Sequence, residues 1–145
     1  MCAALELNEQ VLRPGTLVCV WTPAGGLRLV WAGFARRESL GWWRKNGAEL
    51  VDVPATRFAE RSDRTRELRW DDVPRGLVAR GIVDRSGKSP LLKVVTRVSS
   101  GDELARFEHE RMPLLEAPLY SAEPVPIMEP PPALKLPKPE QGMLF

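Results

Sequence analysis

The placement of proline limits how much of this chain can pack into a folded domain. Eight of the fourteen prolines fall within residues 118–139. Proline lacks a backbone donor and has a fixed φ, so this segment is predicted to be a disordered linker with polyproline character. Residues 1–117 are therefore predicted to form a single domain, long enough to bury most of a core without disulfides.

Short apolar runs separated by turn residues recur along residues 1–117. Runs of this length, rich in β-branched residues and bounded by Gly and Pro, are typical of strands. The first two flank Pro23-Ala24-Gly25-Gly26 and predict a β-hairpin. The pattern indicates a β-rich α+β fold with few short helices. The predicted strands span residues 16–22, 28–34, 49–53, 76–83 and 91–98.

Two other stretches favour loops or helices. Residues 55–72 are rich in Arg, Asp and Glu of both signs, which predicts a solvated loop or a short helix. Ser100-Gly-Asp-Glu103 fits a capping box and predicts a helix running through Phe107 toward Arg111, ended by Pro113. The only histidine, His109, is expected in this helix, and a lone histidine is more often structural than catalytic.

Composition narrows the classes of function. Two cysteines without a signal peptide predict a reducing, cytoplasmic location, and Cys19 is expected to be an inert buried thiol. No apolar run approaches the roughly 18 residues of a membrane span. One histidine and two distant cysteines do not make a zinc site, so neither a metal nor another cofactor is expected. The net charge of +2 is too small to establish a polyanion partner.

The segment RRESLGWWRK, residues 36–45, places cations on both sides of Trp42 and Trp43. Cations contact phosphates and exposed indoles stack on unpaired bases, so this segment is a candidate single-stranded DNA surface. The alternative is a surface loop whose tryptophans fold back into the core. The candidate cations are Arg36, Arg37, Arg44 and Lys45.

The N-terminal dipeptide Met1-Cys2 offers unusual chemistry. Removal of Met1 would leave Cys2 with an α-amine and a thiol whose reference pKa values are roughly 8 and 8.5. Such a 1,2-aminothiol condenses with an aldehyde to an imine and closes to a thiazolidine. Otherwise Cys2 is an ordinary second residue. Asp84, at a predicted strand end, is either a turn former or a catalytic group.

Six segments occur in an order that resembles the SOS-response-associated peptidase family, whose members crosslink to abasic sites in single-stranded DNA. The most specific match is His109-Glu110-Arg111-Met112-Pro113, together with Cys2. The resemblance covers nearly all of residues 1–116. The ordered segments are Met1-Cys2, RLVWAGF, NGAELVDVPATRF, RGLVARGIVD, KVVT and EHERMP.

The resemblance implies a barrel-like antiparallel sheet around a basic groove, and a monomeric sensor of abasic sites in single-stranded DNA. Cys2 would form the crosslink, and His109 would shuttle a proton. Asp84 would stand for the family's catalytic glutamate and would deprotonate or electrostatically support the Cys2 amine. Asn46 or its neighbour Lys45 would match the family's asparagine, which would orient either Cys2 or the sugar phosphate. Peptidase activity would mainly be self-removal of Met1, not general proteolysis. Further DNA contacts are expected from Arg75 and Arg111.

The last residues, Gln141-Gly-Met-Leu-Phe145, resemble the peptide with which bacterial repair proteins dock on the DNA sliding clamp. A glutamine and two apolar side chains on a tether are typical of such docking. The predicted clamp contacts are Gln141, Met143, Leu144 and Phe145.

Two hypotheses follow for the whole chain. In the first, it is a covalent abasic-site sensor that acts through Cys2. In the second, it binds single-stranded DNA or the clamp without covalent chemistry on the same scaffold.

Overall fold

The computed structural model describes residues 2–120, which form eleven strands and two short α-helices. In chain order they are β1 (Cys2–Leu7), β2 (Gln10–Leu12), β3 (Leu17–Thr22), β4 (Gly25–Arg36), a 3-10 turn (Arg37–Ser39), α1 (Leu40–Lys45), β5 (Glu49–Val53), β6 (Arg57–Arg61), β7 (Leu68–Asp72), β8 (Val78–Asp84), β9 (Leu91–Val98), α2 (Gly101–Phe107), β10 (Arg111–Pro113) and β11 (Leu115–Glu116).

The strands form two sheets. The first has the order β2-β1-β6-β7, and the second the order β10-β9-β4-β3-β5-β8-β11. Strand β8 also pairs with β9, so the pairings among β3, β4, β9, β8 and β5 run in a closed circuit. The β4–β9 pair is parallel, which corrects the expectation of a wholly antiparallel sheet.

The prediction of a β-rich fold with few short helices is confirmed. The predicted hairpin forms between β3 and β4, with its turn tightened to Pro23-Ala24. The prediction for residues 55–72 is wrong, since they contain β6 and β7. These strands form despite their charges because Phe58 is buried, Ala59 is fully buried, and their backbones pair.

The helix predicted from Ser100 begins with both hydrogen bonds of the capping box. It ends earlier than expected, at Phe107, because Glu108 adopts the left-handed conformation with φ 54° and ψ 43°. His109 therefore lies in the connection between α2 and β10, and Pro113 belongs to β10.

A bulge bends the long strand β4 between Trp31 and Phe34, where its register with β9 shifts. Gly33 takes φ 100° there, a conformation that disfavours other residues. The Trp31 indole donates to the Gly33 carbonyl at 3.2 Å, and the Lys93 ammonium donates to the Ala32 carbonyl at 2.8 Å. Both bonds satisfy carbonyls that the bulge removes from the ladder.

A buried ion pair fixes the end of the described chain. Arg80 of β8 and Asp52 of β5 are 1 % and 0 % exposed and lie 2.7 Å apart. The Asp52 carboxylate also accepts the backbone N–H groups of Leu119 and Tyr120. Ordered contacts thus extend beyond the predicted domain end at residue 117, whereas the linker past Tyr120 and the clamp-like peptide lie outside the described residues.

No helix within residues 2–120 combines the length and the apolar character needed to cross a membrane.

Candidate functional site

Cys2 lies at the start of β1, directly opposite Glu60 of β6. The pairing is irregular between Cys2 and Ala4, and the thiol donates to the Ala4 carbonyl at 3.3 Å. Cys2 is 1 % exposed and Glu60 0 %, so the first sheet carries a thiol and a carboxyl side by side in its interior.

His109 approaches the same point from the connection between α2 and β10. Its Nδ1 is 3.9 Å from Glu60 Oε1, and its Nε2 is 3.9 Å from Asp63 Oδ1. The Arg111 N–H donates to Nδ1 at 3.1 Å, which the neutral imidazole can accept when its proton is on Nε2. In that tautomer the ring directs its own N–H toward Asp63.

Burial sets the protonation of this cluster. It raises the pKa of Glu60 to about 8, with a further upward contribution from Asp63. Burial also raises the pKa of the Cys2 thiol, and the nearby Glu60 adds to that effect. Near neutral pH the carboxyl is therefore largely protonated and the thiol is not ionised. The cluster can donate and relay protons, in the manner expected of general acid–base groups.

Asp84 is placed elsewhere, at the end of β8 in the second sheet. Its Oδ1 accepts the Ser86 N–H at 3.0 Å and the Ser86 hydroxyl at 2.7 Å, and Lys93 lies 3.9 Å away. The Ser86 hydrogen bonds lower the pKa of Asp84. These contacts are those of a turn former, so the structure does not bring Asp84 to Cys2 and His109.

Glu60 is the member of this cluster that the sequence did not single out, because it lies in the charged stretch predicted to be a loop or a short helix. A period-two pattern places Phe58 and Glu60 on one face of a strand, and this was the available signal. The charges around it masked that pattern.

Asn46 lies at the C-terminal end of α1 and is exposed. Its amide donates to the Trp42 carbonyl at 2.8 Å, so its observed role is to cap the helix. None of the described contacts joins Asn46 or its neighbour Lys45 to Cys2, Glu60 or His109.

The segment of residues 36–45 presents a partly exposed basic surface. Trp42 is 60 % exposed and lines an open concavity with Gly41, Arg44, Lys45 and Ala48. Trp43 instead packs against the smaller core cluster. Each alternative therefore holds for one of the two residues: the Trp42 indole is exposed, and the Trp43 indole packs inward.

The remaining residues predicted to contact DNA differ in their exposure to solvent. Arg36, Arg37 and Arg75 are exposed. Arg111 is only 8 % exposed, and its guanidinium donates to the Thr96 carbonyl and to both carboxylate oxygens of Glu38. Its donors are thus occupied inside the protein, which argues against a phosphate contact. The Arg111–Glu38 pair instead ties the start of the basic segment to β10, two residues after His109.

Among residues 2–120, no group of three or more His, Cys, Asp or Glu side chains is arranged to hold a metal ion. Met1 and the predicted clamp contacts lie outside the described residues. Comparisons with family models, with curated proteins and with solved structures found no match for this chain.

Proposed function

We propose that this protein is a sensor of abasic sites that crosslinks to single-stranded DNA through Cys2 once Met1 is removed. The observation that carries the proposal is the meeting of Cys2, Glu60 and His109, which come from three separate parts of the chain. An aminothiol beside two proton-transfer groups fits condensation with an aldehyde.

The reaction has two steps whose atoms balance. The Cys2 α-amine adds to the aldehyde carbon of the ring-opened sugar, and loss of one water gives an imine. The Cys2 sulfur then bonds to the imine carbon while the π electrons move to nitrogen, which receives the thiol proton. The product is a five-membered thiazolidine, and nothing further is lost.

Glu60 takes the place beside Cys2 that was first expected for Asp84, and it would act as a general acid. With a pKa of about 8, it is a carboxylic acid that still holds its proton near neutral pH and can protonate the departing hydroxyl as water. His109, whose Nδ1 lies 3.9 Å from Glu60 Oε1, would relay the thiol proton toward the nitrogen or return a proton to Glu60. Donating its proton leaves Glu60 as a carboxylate beside the protonated imine, and the imine proton can return to it, so the charges that form in this buried site are transient and paired.

The closed circuit of strands in the second sheet supports a further structural proposal, a small barrel-like body on which this site is mounted. The basic segment of residues 36–45 would guide the strand, since the Glu38–Arg111 pair anchors it close to His109 in the chain. Exposed Trp42 would stack on an unpaired base.

The test is to incubate protein of verified N-terminus with single-stranded DNA that contains one abasic site. We expect a covalent product on a denaturing gel and a DNA adduct on the Cys2 peptide by mass spectrometry. Cys2→Ala should abolish it, whereas Cys19→Ala, which removes the other thiol, should not. Absence of a product from protein with Met1 removed would overturn the proposal.

Two matched variants show which carboxyl group acts as the general acid. Glu60→Gln should slow crosslinking by about 100-fold or more, the usual scale of general acid–base catalysis. Asp84→Asn should leave the rate close to wild type because Asp84 contacts only the β8–β9 turn and Lys93. The reverse ranking would assign the acid role to Asp84 instead.

The second candidate function is non-covalent binding of single-stranded DNA, favoured by the exposed Trp42 and the open basic concavity. It predicts salt-sensitive binding of intact and abasic strands alike, weakened by Trp42→Ala. Equal affinity for both strands, without a denaturant-stable product, would favour this function over crosslinking.

The tail proposal is separate. We expect the C-terminal pentapeptide to bind a bacterial sliding clamp through Leu144 and Phe145, concentrating the protein at replication forks. The double variant Leu144→Ala with Phe145→Ala should lose binding to purified clamp, and unchanged binding would exclude the idea.

A further inference from the structure

We infer that Glu108 is a positioning residue that clamps the β6–β7 connection to the end of α2 and thereby holds His109 beside Glu60. The inference deepens the proposed function and rests on it for its catalytic meaning. Glu108 itself touches neither Cys2 nor Glu60 in the described contacts, so it would act through the two chain segments that it joins.

The backbone of Glu108 turns the chain toward the site. Its φ of 54° and ψ of 43° are left-handed values at which glycine or asparagine is usual. Its N–H donates to the Leu104 carbonyl at 2.9 Å, and its own carbonyl accepts the Asp63 N–H at 2.9 Å. The left-handed residue therefore ends α2 and already pairs with the segment that follows Glu60.

The Glu108 side chain supplies the second half of the clamp. Its Oε1 accepts the Ser62 hydroxyl at 2.7 Å and lies 3.1 Å from an Arg69 nitrogen. Its Oε2 accepts Arg64 Nε at 2.8 Å. The hydrogen bonds from Ser62 and Arg64 lower the pKa of Glu108, so the carboxylate stays ionised at neutral pH. A glutamate in a glycine-type position is thus compensated by three side-chain partners.

These contacts set the spacing of the proposed catalytic pair. Ser62 lies two residues after Glu60, and Glu108 directly precedes His109. On the far side, the Ser99 hydroxyl donates to the His109 carbonyl at 2.8 Å. With the backbone of His109 held from both sides, the imidazole has little freedom to leave the 3.9 Å approach to Glu60.

The clamp also keeps water from Glu60. The groups placed around that carboxyl are Cys2 from β1, Asp63 from the β6–β7 connection and His109, and Arg69 is its register partner on β7. The N-terminal ammonium also acts on Glu60 and lowers its pKa. Releasing the connection at Ser62 would hydrate Glu60, and hydration removes the main cause of its raised pKa.

The experiment follows the Cε1 proton of His109 by NMR as a function of pH, on the full chain. His109 is the only histidine, so its resonance needs no comparison with others. Ionisation of Glu60 should change the chemical shift of this proton, and we call that change the step. It is identified by its loss in Glu60→Gln. We expect Glu108→Ala and Glu108→Gly to move that step by about one pH unit or more toward the range of an exposed glutamate, and Glu108→Gln to retain most of the wild-type position.

Glycine is the decisive control because it suits the left-handed backbone but lacks the carboxylate. A Glu108→Gly protein with the wild-type step would overturn the inference, as the backbone alone would then suffice. Should the Glu108 variants fail to fold, Ser62→Ala removes the hydroxyl that bonds Glu108 Oε1, together with the bonds it accepts from the Arg64 and Thr65 amides, and leaves residue 108 itself unchanged. It should move the step in the same direction, and an unmoved step would overturn the inference equally.

A crosslinking assay on the same variants distinguishes failure of the proposed function from failure of the clamp. If wild-type protein forms no crosslink but the NMR step moves as expected, the proposed function fails while the clamp stands. If crosslinking is normal in Glu108→Gly and the step is unmoved, the clamp fails while the function stands. With both ideas correct, the variant crosslinks more slowly and its pH profile shifts with the NMR step.

Discussion

Gly81, in β8, leaves no room for a side chain. A Cβ added there would lie 2.8 Å from Leu92 Cδ1 and within 3.1 and 3.2 Å of the Val53 and Val51 methyl groups. Its φ is not in the left-handed region, so the requirement for glycine is space between β5, β8 and β9 and not backbone conformation.

We therefore expect Gly81→Ala to lower the free energy of unfolding by about 1 to 3 kcal/mol through overpacking. Chemical denaturation measures the loss. Gly41→Ala, at a glycine of α1 whose added Cβ would meet nothing within 4 Å, is the control and should be neutral or slightly stabilising. Equal losses in both variants would contradict the packing argument.

Residues with distinctive chemistry could be identified from the sequence, and residues defined by their surroundings could not. Cys2 and His109 are singular in position or type, and the structure brings both into one cluster. Glu60 is one acidic residue among many, and what distinguishes it is burial opposite Cys2. Burial of that kind depends on strand register, which local sequence does not contain.

The same distinction holds for secondary-structure elements. The capping box at Ser100 and the β3–β4 hairpin were predictable because their signals are local. Strands β6 and β7 were not, since their charged side chains are accommodated by pairing with each other and with β1. The early end of α2 was also hidden, because a left-handed glutamate carries no sequence signal.

The Asp52–Arg80 pair joins β5, β8 and the segment at Leu119 and Tyr120, and a prediction follows for these elements. Asp52→Ala would remove the buried carboxylate of Arg80, leaving the partly exposed Glu116 as its ion-pair partner, and would free the Leu119 and Tyr120 amides. Removing one partner of a buried pair typically costs about 3 to 5 kcal/mol. We expect a loss of this order by chemical denaturation.

Glu116→Ala is the matched control, because Glu116 also pairs with Arg80 but its side chain is 42 % exposed. A partly solvated pair contributes about 1 kcal/mol or less. Similar losses for the Asp52 and Glu116 variants would show that burial does not decide the strength of this network.

Glu60 gives the whole molecule a characteristic pH dependence. Its pKa is about 8 in the folded protein, above the reference value of 4.5, so the folded state binds more protons than the unfolded state between these limits. Stability must then fall as pH rises through this window, by at most roughly 1.4 kcal/mol per pH unit from this group. Below pH 4.5 the group imposes no such loss.

We expect Glu60→Gln, which cannot ionise, to lack this component. The difference in unfolding free energy between variant and wild type should grow in favour of the variant from pH 5 to pH 8, as measured by denaturation at several pH values. A constant difference over that range would mean that Glu60 has an ordinary pKa.

The parallel pairing of β4 with β9 has a consequence for how the molecule folds. The seam joins Val30 to Leu91, with β5 to β8 between them in the chain. Contacts so distant in sequence form only after considerable loop entropy has been lost, and such topologies fold slowly. The bulge at Gly33 lies within this seam and shifts its register. Because the paired residues are so far apart in sequence, formation of the native β4–β9 register is expected to set the refolding rate.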